Sequence, residues 1–205
     1  MNRLYAIIAV AVVAVFLLVT LGLTFRGNED DAFASCRSSA VAGAGDLGGP
    51  FELVNARGET VTDADVITEP TLIYFGYTYC PDVCPLDVDR NASAVDILLE
   101  RGLSVTPVFI SIDPERDTPD VVGDFASNMH EKMIGLTGSP EQVKAASQAY
   151  RTYYKAHDAV DGDYLVDHST YSYLVLPEKG FVEFFRRDLT PTDMADKIGC
   201  FLKNS

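Results

Sequence analysis

The first strong pattern along the chain is an unbroken apolar run. Tyr5 to Phe25 comprises 21 residues without a charge. At about 1.5 Å rise per residue, such a helix spans roughly 30 Å, the thickness of a bilayer's hydrocarbon core. A cleaved signal peptide is the competing reading, but its apolar region is shorter and ends in small residues. Here Arg26-Gly27-Asn28-Glu29-Asp30-Asp31 follows directly, which favours an uncleaved N-terminal transmembrane helix. Arg3 before the run, against Arg26 among acids after it, favours a cytoplasmic N-terminus. The expected placement is a single-pass protein of the bacterial inner membrane, with its soluble domain in the periplasm. Residues 28–48 are small, polar and glycine-rich, with Ala42-Gly43-Ala44-Gly45 at their centre, and read as a flexible linker. The expected division is an anchor over 1–27, the linker over 28–48 and a folded domain over 49–203.

Within that domain the pattern changes period. Thr71-Leu72-Ile73-Tyr74-Phe75 is short, apolar and rich in branched and aromatic residues, the mark of a buried strand. Val105 to Ile112 is a second, ended by the turn at Asp113-Pro114. Between them, Asp87 to Arg101 has helical spacing, with Val88, Val95, Leu98 and Leu99 inward and Gly102 as the stop. Strand, helix and strand of this length predict a parallel pair with a right-handed crossover. Thr118-Pro119, Ser139-Pro140 and Thr190-Pro191 each set a capping hydroxyl before a proline, which predicts three helix starts. Tyr171 to Leu176 and Phe181 to Phe185 flank Pro177-Glu178-Lys179-Gly180 and predict a hairpin. The fold class is α/β, with helices flanking a central mixed sheet.

Lys and Arg total 16 against 30 Asp and Glu. Setting aside Arg3, the part beyond the apolar run has 15 basic and 30 acidic groups, a balance of −15. Such a surface repels phosphate backbones and argues against nucleic-acid binding.

The chemistry concentrates in Cys80-Pro81-Asp82-Val83-Cys84-Pro85, directly after the first strand. Pro85 suits the first helical position, so Cys84 is expected to cap the helix, with Cys80 in the loop before it. Thiolates are the reactive and metal-binding form of cysteine, and a helix N-terminus favours them. The same two sulfurs could instead close a small disulfide ring. Tyr74, Phe75, Tyr77 and Tyr79 read as core and pocket wall.

Tyr74 to Pro85 resembles the signature of the Sco/SenC family of copper chaperones. Ser111-Ile112-Asp113-Pro114-Glu115-Arg116-Asp117-Thr118-Pro119 is similar to that family's second signature, and Ile134 to Val143 to a third. Val166-Asp167-His168-Ser169, followed by Tyr173-Leu174, is similar to the fourth. The resemblance implies a thioredoxin-like fold and a copper site made of Cys80, Cys84 and His168. It also implies a partner, the copper-binding subunit of cytochrome c oxidase, whose binuclear centre the family helps to assemble. Thioredoxins have two residues between their cysteines, whereas this chain has three. It also has no proline between Tyr164 and Leu176, where thioredoxins have one facing the cysteines. Both departures shift the site from disulfide exchange towards metal binding.

Ligand chemistry points the same way. Two thiolates and an imidazole suit copper(I), which accepts low coordination, whereas structural zinc takes four ligands. Asp82 or a water could supply a fourth. A second function is open on these residues: reduction of the acceptor's cysteines, with a reductant of thioredoxin type renewing the pair. A peroxidase is a third and fits the paired spacing less well.

Of the three histidines, His130 and His157 lie among polar residues and are expected at the surface. Asp167 is the expected partner of a ligand imidazole N–H. Asp113 and Asp117 read as turn and capping groups, with a role in shaping the site as the alternative. Cys36 and Cys200 either bridge, fastening the linker to the last helix, or remain two thiols open to oxidation.

Overall fold

The computed structural model describes residues 2–26, 32–37, 47–159 and 163–205. The chain forms two units, 1–35 and 36–205. In the first, α1 (Asn2–Arg26) is one helix of 25 residues. Its described side chains from Tyr5 to Val19 are apolar and exposed. Among the described residues no helix is long and apolar enough to cross a membrane. The expected linker falls largely outside the described residues, at 28–31 and 38–46.

The second unit is built on a seven-stranded mixed sheet. Its strands are β1 (Glu52–Asn55), β2 (Thr60–Thr62), β3 (Thr71–Gly76), β4 (Thr106–Ser111), β5 (Ile134–Thr137), β8 (Ser172–Leu176) and β9 (Gly180–Phe185). They lie in the order β2-β1-β5-β4-β3-β8-β9. The centre, β3, β4 and β5, is parallel, and antiparallel strands flank it on both sides. Every residue of β3 and β4 is buried, as parallel strands covered on both faces require. Pro107 lies inside β4 without breaking it. The Thr106 N–H donates toward the β3 side, to Pro70 O, so position 107 faces β5, whose pairing begins only at Val108. No donor is missed there.

Helix α2 (Asp63–Val66) follows β2; α3 (Val83–Glu100) joins β3 to β4 and packs on the last helix, α6 (Pro191–Lys203). Helices α4 (Pro119–Met129) and α5 (Pro140–Ala149) begin at the expected proline positions. Ser139 and Gln142 form the reciprocal box: Gln142 N donates to Ser139 Oγ (3.3 Å) and Ser139 N to Gln142 Oε1 (2.8 Å). At α6, Asp193 N donates to Thr190 Oγ1 (3.1 Å). The predicted hairpin is β8–β9, with a register shift between Leu174 and Val175. A separate two-stranded ribbon, β6 (Tyr154–Ala156) with β7 (Val166–His168), stands outside the main sheet.

Cys36 and Cys200 are bonded, with Cα atoms 5.6 Å apart. Of the two readings of these cysteines, the bridge is the one found.

One local expectation needs correction. Helix α3 starts at Val83 with Asp82 as its cap, so Cys84 and Pro85 lie within the first turn. Proline is tolerated there because no first-turn amide has an intrahelical acceptor. The Cys84 amide is satisfied instead by Cys80 Sγ, at 3.3 Å.

Candidate metal centre

Cys80 sits in the turn after β3, where its N–H donates to Tyr77 O. Cys84 is in the first turn of α3, fully buried, and His168 ends β7. The ligand atoms of these three residues all lie within 4.8 Å of one another. His168 Nε2 is 3.2 Å from Cys84 Sγ. All three expected site residues are therefore brought together. Asp82, offered as a fourth ligand, is an exposed helix cap outside this convergent group.

The imidazole is oriented from behind. Its Nδ1 lies 2.8 Å from Ser169 O. A carbonyl only accepts, so Nδ1 carries a proton, and Nε2 is the ring nitrogen that faces the sulfurs as the ligand atom. Tyr74 and Tyr77 meet the ring edge-on, at centroid distances of 6.2 and 5.9 Å. Tyr77 Oη also accepts from Val166 N (3.3 Å), tying the Cys loop to β7. Asp167 does not support the ligand imidazole. It points off the opposite face of the strand and pairs with exposed His157, Oδ2 to Nε2 at 2.9 Å.

The two thiols are electrostatically unequal. Hydrogen bonding from Cys84 and from the amides of Asp82 and Cys84, together with His168, pulls the Cys80 thiol down to about 4 against the opposing effect of burial. The Cys84 thiol is held well above its ordinary value, because it shares a hydrogen with Cys80 and is buried. The pair thus holds one charge easily and a second only with a cation present.

One residue that builds the site, Gly76, was not singled out from the sequence, and three that were have other surroundings than expected. A Cβ on Gly76 would come within 3.0 Å of Cys84 Sγ, so the strand passes the sulfur only with glycine there. Asp117 is a buried organiser of the Cys loop: its carboxylate accepts from Thr78 N (2.9 Å), Thr78 Oγ1 (2.5 Å) and Ser111 Oγ (2.6 Å). The shaping role left as the alternative is the better description of it. Asp113 accepts from Tyr164 Oη and from Arg116 Nε, both at 2.6 Å. His130, expected at the surface, is buried at the end of α4. Its Nε2 lies 3.2 Å from Asp96 Oδ1, and its Nδ1 accepts from Lys132 N.

A mixed sheet flanked by helices, with two cysteines at the β3–α3 junction and a facing histidine, defines a thioredoxin-like domain with a soft-metal site. A model of the SCO1/SenC family matches residues 39–203, and the chain belongs to that family. Protein SenC of Rhodobacter capsulatus is 53% identical over 201 residues, covering 98% of this chain and 91% of SenC. Protein SCO1 homolog 1, mitochondrial, of Arabidopsis thaliana is 44% identical over 158 residues, 77% of this chain and 47% of the plant protein. Among solved structures, Arabidopsis thaliana ScoI with copper bound superposes with a TM-score of 0.74 at 42% identity, over 78% of this chain and 99% of that one. Bradyrhizobium japonicum ScoI with copper bound gives 0.68 at 37% identity, over 75% and 98%.

Proposed function

We propose that this protein is a copper metallochaperone. Cys80 and Cys84, as thiolates, and His168, through Nε2, take copper as cargo and pass it to the binuclear copper centre of cytochrome c oxidase during assembly. The observation that carries this is the convergence of two sulfurs and one imidazole nitrogen within 4.8 Å. Relatives with copper bound support the choice of metal, as does the softness of the donor set. Copper(I) replaces the proton on Cys84, so loading releases a proton and depends on pH. Oxidation of the pair to a disulfide removes both thiolates and with them the site. Copper leaves by stepwise exchange of these ligands for the acceptor's cysteines.

Residues 1–27 serve as a membrane anchor, 28–48 as its tether and 49–203 as the copper-binding domain. The support for the anchor is the uncharged run from Tyr5 to Phe25, whose 21 residues at about 1.5 Å each would match the roughly 30 Å hydrocarbon core. The Cys36–Cys200 bridge fits an oxidising compartment, here the periplasm facing a bacterial inner membrane. Anchoring raises the effective concentration of donor and acceptor without new contacts.

The unequal thiols favour a second activity at the same site. The Cys80 thiolate is set to attack a disulfide in the acceptor, with Cys84 resolving the mixed disulfide. The acceptor gains two thiols and Cys80–Cys84 becomes a disulfide, which a reductant of thioredoxin type must then reduce.

Anaerobic copper(I) titration of the reduced chain, with X-ray absorption, should give one copper with two sulfur neighbours and one nitrogen. His168→Ala should lose the nitrogen and weaken binding while leaving disulfide exchange intact. Normal oxidase maturation by that variant under copper limitation would overturn the chaperone reading.

A further inference from the structure

The ribbon that carries His168 is three residues long on each strand and, among the described residues, pairs with nothing in the main sheet. Something else must hold it against the Cys loop, and the contacts lead to Arg116. The guanidinium lies 3.7 Å from the ring centroid of Tyr164 and 4.8 and 5.7 Å from those of Tyr79 and Tyr77. Its Nε pairs with Asp113 (2.6 Å) and its Nη1 with Asp163 (2.9 Å). Nη2 is buried with no hydrogen-bond acceptor among the described residues. The faces of the three rings give the cation the negative quadrupole that an acceptor would otherwise supply.

These contacts fall on two segments that the chain keeps far apart. Tyr77 and Tyr79 belong to the Cys loop, whereas Asp163 and Tyr164 lie just before β7. Tyr77 in turn touches the His168 ring and accepts from Val166 N. Asp113 closes the arrangement by accepting from both Arg116 and Tyr164.

We infer that Arg116 is a positioning residue that clamps the β7 segment to the Cys loop and so holds His168 Nε2 over Cys84 Sγ. It touches neither sulfur nor imidazole; it acts through Tyr77 and Tyr164. The copper arm of the test rests on the proposed function, whereas the arm without metal does not.

The test uses the full chain in detergent, labelled with ¹⁵N-histidine, so that three imidazoles report. In the reduced, metal-free protein, proton contacts between His168 and the Tyr77 ring should be present. Arg116→Gln should abolish them, while His130, held by Asp96, stays unchanged as the internal reference. In competition with a chromophoric chelator, Arg116→Gln should weaken copper(I) binding about tenfold, the usual effect of losing a ligand's support. In a His168→Ala background the same change should cost next to nothing. Arg116→Lys keeps the charge without the planar fork, so it should fall between the two, and it carries the test if Arg116→Gln does not fold. Intact His168–Tyr77 contacts in the variants, or an equal loss of affinity in both backgrounds, overturns the inference. A native chain that takes no copper sinks the proposed function and leaves the metal-free arm standing.

Discussion

Nε2 of His168 and Sγ of Cys84 stand 3.2 Å apart across 84 residues of chain. That approach needs three supports. Ser169 O orients the imidazole, Tyr77 ties β7 to the loop, and Gly76 leaves room for the sulfur. Each can be disturbed separately, and the consequences differ.

Gly76→Ala tests the room around the sulfur. The added methyl would lie 3.0 Å from Cys84 Sγ, 2.9 Å from the Tyr74 ring and 3.0 Å from the Phe109 ring. The two rings are fully buried side chains and have nowhere to retreat. The variant should lose about 1–3 kcal/mol of stability, read from urea unfolding, and bind copper(I) more weakly because the sulfur is displaced. Unchanged values for both would show that the strand shifts freely.

The unequal thiols predict a pH profile. In the reduced, metal-free chain, Cys80 should react with iodoacetamide as a thiolate down to about pH 4, while Cys84 stays silent. The folded Cys80 value lies below the unfolded one. Its contribution to stability is therefore complete above the ordinary thiol range and lost as pH falls through about 4. Cys84 has the opposite sign: its folded value is raised, so its contribution is lost as pH rises above the ordinary thiol value. Unfolding of the reduced chain should show stability rising from acid towards neutrality and levelling off or falling in alkali. Cys80→Ser should flatten the acid limb.

The elements legible from the sequence were those with strong local signals. Strands β3 and β4 are continuous apolar runs, α3 has a clear inward stripe, and three prolines each follow a hydroxyl residue at the N-cap, of which Ser139 and Thr190 cap with the side chain and Thr118 does not. The same local logic gave the cysteines their place but misjudged the helix start by two residues, because a sulfur three residues upstream of Val83 supplies the missing acceptor. The ribbon was not legible. Its strands have three residues each, and Asp167 and Lys155 on them are exposed, so no alternation stands out. With the ribbon unseen, Asp167 could not be assigned to His157 across it. The β1–β2 hairpin did carry a signal, since Asn55 Oδ1 accepts from Arg57 N and Glu59 N in a side-chain-closed turn that contains Gly58. The burial of His130 depends on Asp96 of a distant helix and leaves no local trace.

Asp117→Ala tests the anchoring of the Cys loop from below. It removes the acceptor for Thr78 N, Thr78 Oγ1 and Ser111 Oγ. Leaving a buried donor unsatisfied costs about 1–3 kcal/mol. Stability should fall by at least that much in urea unfolding. Amide exchange should accelerate at Thr78 and at Cys80, whose N–H bonds within the same turn. Unchanged exchange there would mean that Asp117 supports the turn at residues 113–117 alone.

The Cys36–Cys200 bridge closes a loop that encloses the entire sheet, its ends separated by 164 positions in sequence. Cross-links of such long loops restrict the unfolded chain strongly, and removing a native one costs about 2–5 kcal/mol. The bridge joins the last helix to residue 36, ahead of β1, whereas the site lies at the β3–α3 junction and β7. Cys36→Ser with Cys200→Ser should therefore lower the urea midpoint without changing copper(I) affinity or the reactivity of Cys80. Using both substitutions avoids leaving one unpaired thiol that could exchange with the metal pair. A parallel loss of copper affinity would show that the bridge transmits strain to the site, and the two regions would then have to be treated as one cooperative unit.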